Sequence, residues 1–154
     1  MNSYLGNHRL LEQHKVGFLA SSKIATLSVL PTLDWASDIA KREDVTVVIG
    51  CHSQLEKQVL DFLLRGRCSI IIALHRGIYK TIPNIYKTAY EAERILFLSI
   101  FSDRQMRAGR AEAFKRNKYI TELSDEMVFA SITPESSLYE LYNNIKDVKP
   151  TNTL

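Results

Sequence analysis

Residues 111–131 (AEAFKRNKYITELSDEMVFAS) hold the side chain most out of place in this chain, Arg116, followed by Asn117 and Lys118. The stretch reads as a basic helix, a short turn and a buried strand. At about 100° per residue, Arg104, Arg107, Arg110, Lys115 and Lys118 fall on one broad helix face. Gly109, Ala113, Ile120 and Leu123 fall roughly opposite, and Arg116 lies among them. An unpaired buried guanidinium is too costly to leave alone. Arg116 therefore points to a phosphate or carboxylate that its planar fork could grip. The plainer alternative is a structural salt bridge to Asp103 or Glu56. The outer basic row is in the first instance a solvated face. Its functional reading is a track for a nucleic-acid backbone, each contact adding salt dependence.

Three further segments carry polar groups suited to an anion. Gly50-Cys51-His52-Ser53 follows a strand-like run and precedes a helical one, so its amides could receive a phosphate. Gly50 would let backbone approach that phosphate closely. The competing reading makes Gly50 a turn residue and Ser53 a helix cap, since Ser53 and Glu56 have the S-x-x-E spacing of a capping box. Ser21-Ser22-Lys23 follows another strand-like run. Ser136 and Ser137, after Thr133-Pro134-Glu135, could hold phosphate oxygens or simply cap the last helix. Cys51-His52 does not make a nucleophile pair, because neighbours in a turn rarely align and no third orienting group is evident. His8, His14, His52 and His75 lack metal-ligand spacing. No G-x-G-x-x-G or Walker lysine motif is present. No catalytic residue, metal or cofactor is assigned.

The elements that must position these residues follow from periodicity. Continuous apolar runs at 16–20, 45–49, 69–74, 94–100 and 126–130 read as strands buried on both faces. Helical spacing marks 33–42, 53–64, 84–92, 105–123 and about 136–145. Strands alternating with helices predict a three-layer, Rossmann-like α/β fold: a parallel sheet of about five or more strands with helices on both faces. In such sheets ligands bind beyond the carboxyl ends of the strands, where all the segments above lie. The 154 residues suit one domain over 1–154, with flexible ends at about 1–13 and 149–154.

Composition adds little. The chain is 45% hydrophobic and 24% charged, with net charge +3, so only local clustering could argue for nucleic acid. The two cysteines form no disulfide framework, and a reduced cytoplasmic setting fits them. The first residues lack the apolar core of a signal peptide, and no window has transmembrane length.

Over about 15–145 the chain resembles the Rossmann-like domain of the DprA DNA-processing family, and most of all small DprA-like proteins of the wider SLOG group. VGFLASSK is similar to the family's first strand and G-S-R loop, with Ser22-Lys23 standing at Ser-Arg. VVIGCHSQLEKQVL resembles the small proteins' S-G-F-H-S-x-L-E-K segment, and LLRGRCSIIIALHRG their L-L-x-G-x-x-x-V-I-x-x-x-A-R-G stretch. RILFLSIF stands at R-L-L-x-L-S-P-F. Residues 112–130 are similar to the segment A-E-x-x-x-x-R-N-x-x-I-A-x-L-S-D.

The resemblance implies a pocket for a nucleotide or nucleic-acid phosphate, formed by Ser21, Ser22, Lys23, Gly50, His52, Ser53, Arg116, Asn117, Ser136 and Ser137. It also implies single-stranded DNA as a partner, DNA processing and a homodimer or higher homo-oligomer. Departures favour binding over catalysis. The family's glycine-rich S-G-x-A-x-G-I-D loop keeps one glycine, Gly50. Glu135-Ser136-Ser137 replaces glycines after Pro134, and Lys118 replaces an arginine. The related LOG nucleotide phosphoribohydrolases carry a P-G-G-x-G-T-x-x-E loop that this chain lacks, so hydrolase activity is the alternative reading. A partner-binding subunit is a second alternative.

Overall fold

The computed structural model describes residues 2–102 and 109–154. Its centre is a seven-stranded sheet of Rossmann-like α/β type. In chain order the strands are β1 (Ser3–Gly6), β2 (Lys15–Ala20), β3 (Thr46–Ile49), β4 (Ser69–Ala73), β5 (Ile95–Ser99), β6 (Glu126–Ala130) and β7 (Thr151–Thr153). The sheet order is β1-β5-β4-β3-β2-β6-β7. Every pairing is parallel except β1 with β5.

Alternate strand residues build two separate cores. Phe18, Val47, Ile49, Ile70, Ile72 and Phe97 face α1 (Thr26–Ala40), α2 (Gln54–Arg65) and α3 (Lys87–Glu91). Leu19, Val48, Ile71, Leu96 and Phe129 face the other way, onto α4 (Arg110–Leu123) and α5 (Tyr139–Ile145). Both faces are covered, which is why the strands read as unbroken apolar runs. No helix among the described residues is long and apolar enough to cross a membrane.

Segments within 1–13 and 149–154 contribute edge strands to the sheet. Residues 3–6 form β1, with Ser3 opposite Ser99, and Leu10 in the following 3₁₀ turn is 2% exposed. Gly6 is required there: its φ is +123°, and a Cβ would stand 2.4 Å from the Ile95 carbonyl oxygen. At the other end β7 pairs with β6, and the Lys149 ammonium donates to the carbonyls of Thr121 and Ser124. These edge strands are short and mixed in polarity, so no apolar run announced them.

Helix α1 also departs from expectation, starting at Thr26 and not at 33. Its first turns turn Leu27 and Leu30 to solvent and bury Ser28 and Thr32, the reverse of the pattern that marks an amphipathic helix. The order of strands places β2 between β3, which continues the chain to one side, and β6, which returns on the other. That reversal sets the crevice at the carboxyl ends of β2 and β6, below α4.

Candidate functional site

The chain leaves β3 at Ile49 and β4 at Ala73, and Arg116 from α4 reaches across both ends. Its Nη1 donates to the Gly50 carbonyl at 2.9 Å and to the Ala73 carbonyl at 3.4 Å. Its Nε donates to Asn117 Oδ1 at 2.8 Å. The side chain is 1% exposed, and Nη2 is buried without a hydrogen-bond partner. Burial lowers the guanidinium's pKa from its ordinary value, and the charge of Glu56 opposes that shift. An arginine nevertheless stays protonated in proteins. Here is a buried positive charge held by neutral acceptors. The alternative, a salt bridge to Glu56, is absent among the described residues, and Asp103 lies outside them.

Gly50 has a different task from the one its sequence suggests. A Cβ at that position would fall 2.5 Å from both Cζ and Nη1 of Arg116. A glycine at position 50 admits the guanidinium, and its carbonyl accepts from Nη1.

The start of α2 likewise receives its anion from within. Ser53 and Glu56 form the capping box: Glu56 N donates to Ser53 Oγ, while Glu56 Oε1 accepts from the amides of Ser53 and His52. Oε2 accepts from the Ala20 amide at 3.0 Å, so one buried carboxylate ties the end of β2 to the loop after β3. The capping reading of Ser53 and Glu56 holds, and the link to Ala20 comes from 36 residues upstream, beyond any local motif.

Two residues at this edge occupy the left-handed region, Cys51 at φ 54° and Ser131 at φ 57°. Such backbone is held only where its surroundings over-determine it. Ser131 Oγ accepts from the Ala25 amide, fixing the loop into α1. Burial raises the Cys51 thiol's pKa, with Glu56 adding to it, so this cysteine is a packed thiol and not a thiolate nucleophile.

A cleft of about 920 Å³ opens over this edge, within the range of small-molecule sites. It gathers Ser21, Ser22, His52, Ser53, Arg116, Asn117 and Ser137 from the expected set. Arg110 and Lys115 line it as well, and Phe114 and Leu138 give it apolar wall. Lys23, Gly50, Ser136 and Lys118 are not among its walls. Lys23 is exposed and lies within electrostatic reach of Glu135. The Ser136 hydroxyl accepts from the Leu138 amide, a local capping bond. Lys118 is exposed on α4, and Arg104 and Arg107 lie outside the described residues.

His75, two residues beyond β4, packs edge-on against His52 with ring centroids 5.3 Å apart. Its pKa is lowered, chiefly by burial, then by Arg116, His52, Arg76 and Lys57. Spacing gave no sign of this pair, because the two histidines meet only when β3 and β4 lie side by side.

No family model matches this sequence, and no curated protein matches it. Solved structures that share its fold include two DNA processing proteins. DNA processing protein A from Helicobacter pylori, described for its single-stranded DNA binding mode, superposes with a TM-score of 0.74 at 22% identity. The match covers 99% of this chain and 70% of that one. DNA processing protein A (DprA) from Streptococcus pneumoniae gives a TM-score of 0.77 at 17% identity, and the match covers 99% of this chain but only 54% of that one. The chain therefore spans about half of the longer neighbour.

Proposed function

We propose that this chain is a DprA-like binding module whose cleft holds a phosphate of a nucleotide or of single-stranded nucleic acid. The observation that carries the reading is Arg116. Its charge is buried on the wall of an open cleft, its acceptors are neutral, and Nη2 has no partner. An anion entering the cleft would supply the missing acceptor and compensate the cost of burying the charge. Ser21, Ser22 and Ser53 bring hydroxyls to the same space, and Ser53 can still donate while its oxygen accepts from Glu56. Arg110 and Lys115 add positive charge at the rim, and Phe114 offers a ring on which a base could stack.

The shared fold with two DNA processing proteins supports nucleic acid as the source of that phosphate. The same reading extends to the homodimer or higher homo-oligomer that the family resemblance implies. Glu56 weighs against the hydrolase alternative. A carboxylate accepting from the amides of Ala20, His52 and Ser53 is committed to structure and poorly placed to steer glycosidic cleavage. A pure partner-binding subunit would give Arg116 Nη2 no acceptor from the cleft.

The test is fluorescence anisotropy of a labelled oligothymidylate titrated with the protein over a series of salt concentrations. Binding that weakens steadily with salt is expected, with a shallower slope for the Arg110→Gln, Lys115→Gln double variant. No binding at low salt, with thermal shifts also absent for a panel of nucleotides, would refute the reading.

A further inference from the structure

The two strand ends that hold Arg116 also carry the paired histidines. Gly50 and Ala73 give their carbonyls to Nη1, and His52 and His75 follow each of them by two residues. Three cationic or protonatable groups thus meet at one edge. His52 lines the cleft, and His75 packs on it. Among the described residues close by, the Glu56 carboxylate has both oxygens engaged by backbone amides.

We propose that His52 and His75 complete a proton-linked subsite beside Arg116 that selects a phosphomonoester dianion, the terminal phosphate of a nucleotide or strand end, over an internal phosphodiester. This rests on the phosphate-site reading above and names the phosphate class that site takes. A diester carries one negative charge, which the fixed charge of Arg116 alone can match. A monoester gains a second charge with a pKa of about 6. Arg110 and Lys115 stand at the rim with fixed charges, and beside Arg116 at the strand ends the imidazoles of His52 and His75 are groups that can gain a charge when the second one arrives.

In the free protein the surroundings of His75 disfavour its charged form. Burial acts first, then the positive charge of Arg116 from α4, His52 from the loop after β3, Arg76 from its own loop and Lys57 from α2. A bound dianion reverses the sign of that field. One proton then passes from a solvent or buffer acid to an imidazole nitrogen, forming N–H as the acid's bond to that hydrogen breaks, and no other bond changes. The folded, liganded pKa exceeds the free one, so affinity for the dianion rises as pH falls toward the free value, until the ligand itself protonates.

Isothermal titration calorimetry near neutral pH, in two buffers of different ionisation enthalpy, reads both affinity and proton uptake. The probes are thymidine 5′-monophosphate against its methyl ester, and 5′-phosphorylated against 5′-hydroxyl oligothymidylate. The monoesters should bind more tightly, with a preference that grows as pH falls from neutrality and is bounded at about tenfold for a histidine pKa that rises by about one unit on binding. Proton uptake beyond the ligand's own titration should accompany them. Both effects should vanish in His75→Gln and in the more exposed His52→Gln, which guards against a folding defect in the first. A preference confined to the mononucleotide pair assigns the site to free nucleotides, and one confined to the oligonucleotide pair assigns it to strand ends. Equal affinity for monoester and diester, or a preference untouched in both variants, overturns the inference while leaving the phosphate site standing. Absence of binding by every probe overturns both.

Discussion

Arg116 and Gly50 are one device. The guanidinium occupies the space a side chain at position 50 would fill. Gly50→Ala must therefore displace Arg116 or strain the end of β3. It should cost about 1–3 kcal/mol, the usual range for overpacking a filled site, and weaken anion binding as well. Urea unfolding checks the first, and unchanged stability would mean that the guanidinium is free to move aside. Glu56 is the counterpart on the other side of the loop. Glu56→Ala leaves the amides of Ala20, His52 and Ser53 without their acceptor and should cost more than about 2 kcal/mol, since each orphaned buried amide is expensive. Of these residues the sequence made Arg116's inward position and the Ser53–Glu56 cap legible, because both follow from helical phase and local spacing. The Arg116 acceptors, the Ala20 amide and the His52–His75 contact were not legible. Each joins segments that are far apart in the chain.

Helix α4 delivers Arg116, and it is held at its end by long-range bonds. Lys149 donates to the carbonyls of Thr121 and Ser124 at 2.7 Å each, placing a cation where the helix dipole favours one. Lys149→Met should lower stability by about 1 kcal/mol. At the following turn Asp125 accepts from the Lys15 amide at 2.8 Å, tying α4 and β6 to the start of β2. That amide, then the charges of Lys15 and His14, holds the Asp125 carboxyl below its ordinary pKa. The folded state thus favours the ionised form. Its stabilising effect is present above the ordinary carboxylate range and is lost as pH falls through the lowered folded value. Asp125→Asn should flatten the fall in urea midpoint between about pH 5 and pH 2, modestly because the carboxylate is half exposed. An unchanged pH profile would show that this link adds nothing. Five of the strands were readable because each is an unbroken apolar run. The start of α1 was not, because its inward face is built from Ser28 and Thr32.

At the scale of the whole molecule, the sheet is closed at its two edges by the chain's own ends. β7 leaves β6 paired on both sides, and Leu154 adds bonds to Phe129, Ser131 and Ser28. Removing residues 150–154 should lower Tm by at least about 3 °C, roughly 1 kcal/mol for a chain of this size. The layered architecture was readable from the alternation of strands and helices, and so was the sheet edge over which the cleft opens. The closing strands were hidden by their shortness. The central claim is that a buried, half-satisfied arginine makes this edge a phosphate site, and calorimetric titration of Arg116→Met with oligothymidylate tests it most directly. Methionine keeps the apolar stem and removes the charge. The expected result is a variant with native circular dichroism whose affinity falls at least about tenfold, the loss of one charge-assisted contact of about 1.5–3 kcal/mol. A folded Arg116→Met protein that binds as tightly as the wild type would contradict the account.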